Sequence, residues 1–257
     1  MKAVILAGGV GARISEEPLS RPKPMEEIGG RPVLWHILKM YSHHQITDFV
    51  ICLGSKGYMV KEFFANYFLH TADVTFDLVE NRMEVHQSAA EPWKVTLVDT
   101  GEDTGTGGRL RRIQKHLVDE ASFCMTYGDT VSDLDIGESI IFHNREGKLA
   151  TLTAVQSQPR FGILGMEGAD VHSVHDSPSD QVGWVNGGFY VLSPKILDLI
   201  PDDPTVRWEQ RPLEKVSEMN ELNAYRHRGF WQPLDTLRDR RLLEHLWDTG
   251  TAPWKTW

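Results

Sequence analysis

The apolar run Val4-Ile5-Leu6 passes directly into Ala7-Gly8-Gly9-Val10-Gly11-Ala12-Arg13, and this junction constrains the fold more than any other stretch of the chain. A short unbroken apolar run is the pattern of a strand covered on both faces, and glycines directly after it let the backbone approach a ligand closely. Such loops turn N–H groups toward phosphate oxygens, although a plain glycine-rich turn would carry the same letters. Pro32 then stands where a first helical residue would, with Val33, Leu34, Ile37, Leu38 and Tyr41 following at helical spacing. Strands are expected over 49–53, 74–78, 95–98 and 123–126, with helices over 58–68, 109–117 and 136–145. That alternation predicts an α/β fold with a Rossmann-like, mainly parallel but mixed sheet flanked by helices. Past about residue 149 the texture becomes β-rich (151–155, 161–166, 171–174, 188–192), and helices return at 194–199, 212–219 and 236–247. With no repeat and no Gly/Ser linker, one domain over 1–257 is expected, its two parts meeting near residue 149.

The 27 Lys and Arg against 36 Asp and Glu give a net charge of −9, so the body of the protein repels a polyanion and no nucleic-acid partner is expected. Cys52 and Cys124 lie inside apolar runs, where a thiol behaves as a small hydrophobe, which fits a cytoplasmic chain. The apolar start after Lys2 is too short for a secretion signal, and no stretch approaches the roughly 18 apolar residues of a membrane span.

The glycine loop departs from two common phosphate loops. A P-loop needs Gly-Lys followed by Ser or Thr, whereas Gly11 is followed by Ala12 and Arg13. A dinucleotide fingerprint set on Gly9 and Gly11 would need its third small residue at Ile14. What remains is a loop followed by cations, Arg13, Arg21, Lys23 and Arg31, of which Lys23 is held between Pro22 and Pro24. The spacing reads equally as a phosphate cradle and as a solvated basic face. Asp129 follows the strand at 123–126 and so belongs at the carboxyl edge of the sheet, where it can hold Mg²⁺ against phosphates or serve only as a turn residue. Asp235 precedes the last helix as a second metal candidate or its N-cap, while Asp133 and Asp135 are better read as starting the helix at Ile136. There is no HExxH pair, no four-thiolate zinc set and no G-x-S-x-G elbow.

These residues resemble the sugar-phosphate nucleotidyltransferases, and within them the glucose-1-phosphate cytidylyltransferases. The carriers are the segment from Met1 to Gly9 with Arg13, Pro22-Lys23-Pro24-Met25, Asn81 with Glu84-Val85-His86, Thr106-Gly107-Gly108-Arg109 and Tyr127-Gly128-Asp129. Further along are Asn186-Gly187-Gly188-Phe189, Trp208-Glu209-Gln210, Gly229-Phe230-Trp231-Gln232-Pro233 and Ala252-Pro253-Trp254-Lys255-Thr256-Trp257. The resemblance covers nearly the whole chain and implies the nucleotide-diphospho-sugar transferase type of fold. The part up to about 149 would then bind the nucleotide, and the part from about 150 the acceptor. It implies that Leu6, Ala7, Gly8, Gly9, Val10, Gly11, Ala12, Arg13, Lys23, Thr104, Arg109 and Gly128 meet the nucleotide, and that Asp129 and Asp235 hold Mg²⁺. Arg13 and Lys23 would be the catalytic cations, Arg13 at the transferred and leaving phosphates and Lys23 at the α-phosphate and the attacking phosphate. Ser177, Asn186, Gly187, Trp208 and Glu209 would stand on the acceptor side. The implied partners are CTP and a phosphorylated small molecule, in a homo-oligomer of trimer or hexamer type.

Four positions depart from the family pattern. Val174-His175-Asp176-Ser177-Pro178 replaces a Phe-x-Glu-Lys-Pro element, so Ser177 stands where a phosphate-binding lysine is usual. Ala12 replaces a threonine, Arg21 a lysine and Thr130 a glycine. Exchanging a cation for a hydroxyl at a phosphate contact weakens binding by about 1 to 3 kcal/mol, or marks a different phosphate or phosphonate acceptor. A nucleotide-binding regulatory protein without turnover is the reading from another class.

Overall fold

The computed structural model describes residues 1–9, 21–88, 90–157, 164–174 and 183–257. The expectations at Val10, Gly11, Ala12, Arg13 and Ser177 lie outside the described residues. Along the chain, β1 (Lys2–Leu6) is followed by β2 (Glu27–Ile28), β3 (Arg31–Pro32), α1 (Val33–His43), β4 (Asp48–Leu53), α2 (Gly57–Ala65) and α3 (Tyr67–Thr71). Next come β5 (Ala72–Asp77), β6 (Arg82–Ser88), β7 (Lys94–Asp99), α4 (Thr106–Arg112), β8 (Phe123–Tyr127), β9 (Thr130–Ser132), α5 (Ile136–Glu146) and β10 (Ala150–Ser157). The remainder is β11 (Leu164–Glu167), β12 (Asp170–Val174), β13 (Gly183–Leu192), α6 (Arg211–Glu218), β14 (Leu222–His227), β15 (Trp231–Pro233) and α7 (Leu237–Asp248).

Nine strands form one mixed sheet in the order β11-β12-β14-β10-β13-β8-β1-β4-β7, so strands from both parts of the sequence share it. β1 runs parallel to both β4 and β8 and is covered on both faces, which explains its unbroken apolar run. Its residues alternate between two layers. Ala3 and Ile5 join Phe49 and Ile51 under α1, while Val4 and Leu6 join Val50 and Cys52 under Leu110 of α4. The antiparallel strand β13 joins β8 to β10, so one sheet runs on into the β-rich part.

Local differences from the sequence expectations have local causes. Pro32 is the N-cap of α1, with ψ 143, and not its first helical residue. The helix expected over 58–68 is broken at Asn66 into α2 and α3, and the one expected over 109–117 ends at Arg112 before a short 3₁₀ turn. The strand expected over 74–78 ends at Asp77 and leaves the main sheet to pair only with β6, whose sequence has no apolar run to announce it. Cys52 and Cys124 are buried free thiols. No helix among the described residues is long and apolar enough to cross a membrane.

The chain end closes over α1 through His36, which is fully buried among Trp35, Trp247, Trp254 and Trp257. Its neutral ring suits both neighbours, since Nε2 lies 2.8 Å from the Ile28 carbonyl and Nδ1 accepts from Trp254 Nε1 at 3.3 Å. Burial pulls its pKa from 6.5 down to about 4. The unfolded chain takes up a proton that the fold excludes, so stability is complete above pH 6.5 and falls as the pH drops toward 4, by about 3 kcal/mol in all. Urea unfolding across that window is expected to show this slope in the wild type and a shallower one in His36→Gln. Equal slopes would contradict the assignment.

Candidate active site

The site is built where β1 and β8 end side by side. The Gly128 N–H donates to Leu6 O at 3.0 Å and the Ala7 N–H to Cys52 O at 3.0 Å, which fixes the first residues of the glycine loop against their neighbours. A Cβ on Gly8 would stand 2.3 Å from Arg109 Nη1 and 2.7 Å from the Gly54 nitrogen, so no side chain fits there. The first glycine thus serves packing beneath the loop, while Gly9 faces a cavity of about 510 Å³.

Arg109 is the peg under this loop. It is 2% exposed, and its terminal nitrogens donate to the carbonyls of Gly8, Leu53, Gly101 and Glu102 and to Thr100 Oγ1, at 2.7 to 3.1 Å. A fork of fixed N–H donors can tie the ends of β1, β4 and β7 together in this way, whereas a point charge cannot. The two glycines ahead of it have their own task. A Cβ on Gly108 would meet Pro204 O at 2.4 Å, so α4 can lie against the 204–206 backbone only without side chains there. That contact carries the Gly105 N–H bond to Pro204 O at 2.7 Å and the Gly107 N–H bond to Val206 O at 3.0 Å.

Opposite the loop, Lys23 opens a short 3₁₀ turn (Lys23–Met25) whose Pro24 is buried beside Gly128. Asp129 and Asp235, far apart in sequence, are brought together because β9 pairs with β15 and the Leu234 N–H donates to Asp129 O at 2.7 Å. The N-cap of α7 is Thr236, closed by a capping box with Asp239, so the Asp235 carboxylate is released from capping. It accepts from Lys23 Nζ at 2.6 Å, and Asp129 lies 3.5 Å from the same nitrogen. Burial opposes the Lys23 charge, but Asp129 and Asp235 outweigh it and raise its pKa, so the ammonium is held charged. Burial raises the Asp129 pKa above the ordinary carboxylate range, Lys23 opposes that, and Asp235 adds to it. Two hard carboxylates facing one monocation form a set that a divalent ion with phosphate oxygens would complete, and among the described residues no larger His, Cys, Asp and Glu cluster could hold a metal alone. The donor chemistry therefore fits Mg²⁺.

Of the residues expected at the nucleotide, Leu6, Ala7, Gly9, Lys23, Thr104, Arg109 and Gly128 line the cavity together with Asp129. The expected acceptor residues do not line it. Trp208 is wholly buried with its ring edge-on to Tyr190, a core position. Asn186 Oδ1 accepts from the Gly188 N–H at 3.0 Å and its amide donates to Tyr190 OH, while Gly187 O accepts from Trp231 Nε1 at 2.7 Å. Glu209 stands one step behind the wall, accepting from Thr106 Oγ1 at 2.6 Å and from Tyr127 OH. Burial, then the Glu209 carboxylate, push the Tyr127 phenol well above its ordinary value, so it remains a donor. Asp133 lies 3.0 Å from His227 Nε2, and Asp135 caps α5 by accepting from the Glu138 N–H. Sequence reasoning missed Glu102, Asp103, Thr205 and Arg207, which complete the cavity wall. Only the glycines at 105, 107 and 108 signal that the 204–207 segment must come this close.

Residues 2–233 match the family model described as nucleotidyl transferase. The chain is 57% identical over 257 residues to the glucose-1-phosphate cytidylyltransferase of Salmonella typhi, covering all of both chains. It is 37% identical, again over all of both chains, to a probable glucose-1-phosphate cytidylyltransferase of Bacillus subtilis (strain 168). Among solved structures, HddC from Yersinia pseudotuberculosis superposes with a TM-score of 0.76 at 21% identity, covering 96% of this chain and 99% of that one. A UDP-glucose pyrophosphorylase from Acinetobacter baumanii gives 0.74 at 18% identity, with 95% and 92% covered. These two likenesses concern the fold.

Proposed function

The chain belongs to the nucleotidyl transferase family, and from that premise we propose that it transfers CMP from CTP to a sugar 1-phosphate, with glucose 1-phosphate the favoured acceptor, and releases pyrophosphate. The observation that carries this reading is the Lys23 ammonium, held between Asp129 and Asp235, on the wall of a cavity that Leu6, Ala7, Gly9 and Asp129 also line. An acceptor phosphate is already anionic at neutral pH, so it can attack the α-phosphorus directly and needs no serine, histidine base or triad. Catalysis then reduces to holding two polyanions in line and neutralising their charge.

In this reading Asp129 and Asp235 hold Mg²⁺, which when bound neutralises charge on the nucleotide phosphates. Lys23 leaves its carboxylates for the α-phosphate and the attacking phosphate, and Arg13 serves the leaving pyrophosphate. Gly9 and Gly128 offer backbone close to the nucleotide, and Arg109 keeps the loops beneath it in register. Tyr127, Thr106 and Glu209 stiffen the wall between the nucleotide and acceptor sides. The β5–β6 hairpin stands outside the main sheet and exposes Phe76, Leu78, Val79 and Met83, which supports a homo-oligomer.

Pyrophosphate release tests the proposal. With Mg²⁺ and glucose 1-phosphate, CTP is expected to support a rate at least about tenfold above UTP, GTP or dTTP, the margin of one good base contact. Absence of release with every nucleotide and sugar phosphate tried would contradict it.

A further inference from the structure

Trp184 on β13 carries two arginines: the guanidinium carbons of Arg226 and Arg228 lie 5.4 and 5.5 Å from its ring centroid. Arg226 is on β14 and Arg228 follows directly after that strand. On β10, Gln156 pairs with Trp184, and Ala154 pairs with both Asn186 and Arg226. Strand side chains alternate, so Trp184, Asn186 and Arg226 emerge on one face of the sheet. That face carries Ala154, Ala224 and Tyr190, the layer against which Tyr127 of the cavity wall packs. Because β10 and β14 are parallel and β13 runs antiparallel to both β10 and β8, the cluster stands at the same carboxyl edge of the sheet as the cavity.

Both arginines are exposed, and neither forms a salt bridge with a carboxylate of the described residues, although the protein as a whole is acidic. Arg226 spends one N–H on Gly168 O at 2.6 Å. An aromatic face favours a guanidinium, and the modest repulsion between two exposed like charges at one ring is relieved when an anion shares them. The remaining N–H forks match a phosphate or carboxylate in charge and in bidentate geometry.

We propose that Arg226, Arg228 and Trp184 form the anion-binding part of the acceptor site, next to Asn186 and on the same face. This rests on the nucleotidyl-transfer reading and adds that the acceptor is held by a charge remote from Lys23 in sequence. The anion is either the attacking phosphate or a second anionic group on the same acceptor. Glucose 1-phosphate and glucose 1,6-bisphosphate separate the two.

Calorimetric binding and steady-state kinetics with both probes test this on the wild type, Arg226→Ala, Arg228→Ala and the corresponding lysine variants. Each alanine variant is expected to raise the acceptor Kd and KM at least tenfold while the KM for CTP moves less than twofold, and the lysine variants are expected to recover most of the loss. Equal losses for both probes assign the arginines to the attacking phosphate, and a loss confined to the bisphosphate assigns them to a second anionic group. Acceptor Kd and KM unchanged within twofold for both probes, or no binding of either probe by the wild type, would overturn the inference. Arginine-dependent binding without any pyrophosphate release would instead sink the transfer reading, and normal turnover with arginine-independent KM would leave that reading standing alone.

Discussion

Asp129→Asn is expected to lower kcat/KM about a thousandfold, roughly 4 kcal/mol of transition-state stabilisation, while the folded protein stays as stable as before or becomes more so. The two halves of this prediction come from the same carboxylate. Its pKa is raised by burial first, then by Asp235, with Lys23 opposing, so at neutral pH its charge is held against the preference of its surroundings. An amide of the same shape removes that strain and leaves Lys23 its closer partner, Asp235, at 2.6 Å. The same amide also removes one of the two anionic oxygens that would hold a divalent ion against the nucleotide phosphates. Pyrophosphate release and thermal unfolding, measured on one preparation, check both halves. Activity within tenfold of wild type would show that Asp129 is a turn residue and nothing more.

Arg109→Met is expected to do the opposite, destabilising the fold by about 3 to 5 kcal/mol before any question of catalysis arises. The apolar side chain fills part of the space but leaves the carbonyls of Gly8, Gly101 and Glu102 and the Thr100 hydroxyl oxygen without this donor, while Leu53 O keeps the Thr100 N–H and hydroxyl. Arg109→Lys is expected to recover little, because one ammonium cannot span acceptors at the ends of three strands. Denaturant unfolding of both variants gives the measurement. A loss below about 1 kcal/mol in the methionine variant, the worth of a single ordinary hydrogen bond, would mean that the carbonyls find other partners.

The two variants also mark where the sequence was legible. Buried strands announce themselves because being covered on both faces demands apolar runs, and 4–6, 49–53 and 123–126 all lie in the main sheet. The order of those strands does not follow from any local pattern. β13 enters the sheet between β8 and β10 by antiparallel pairing, and β5 leaves it for a hairpin of its own. In the site, residues next to a strand end, such as Gly9 and Asp129, were legible because the end of a buried strand fixes where they stand, whereas Gly128 came from the resemblance. Arg109 entered the expected site through the resemblance, which cannot tell an arginine aimed at a ligand from one aimed at carbonyls; it lines the cavity and spends its donors on the loop carbonyls beneath. Trp208 shows the same limit, with its indole wholly buried in the core. The cavity wall at Glu102, Asp103, Thr205 and Arg207 depends on a backbone contact between distant segments, which only glycines with no room for a side chain betray.

In the proposed reaction Lys23 exchanges its two carboxylates for phosphates while those carboxylates take up a divalent ion. A crystal grown with CTP and Mn²⁺ as the probe ion, with data collected for anomalous scattering, tests it most directly. A single manganese peak is expected between Asp129 and Asp235, in contact with phosphate oxygens, with Lys23 Nζ moved from Asp235 onto a phosphate. Manganese bound elsewhere, or Lys23 still paired with Asp235 beside a bound nucleotide, would contradict it.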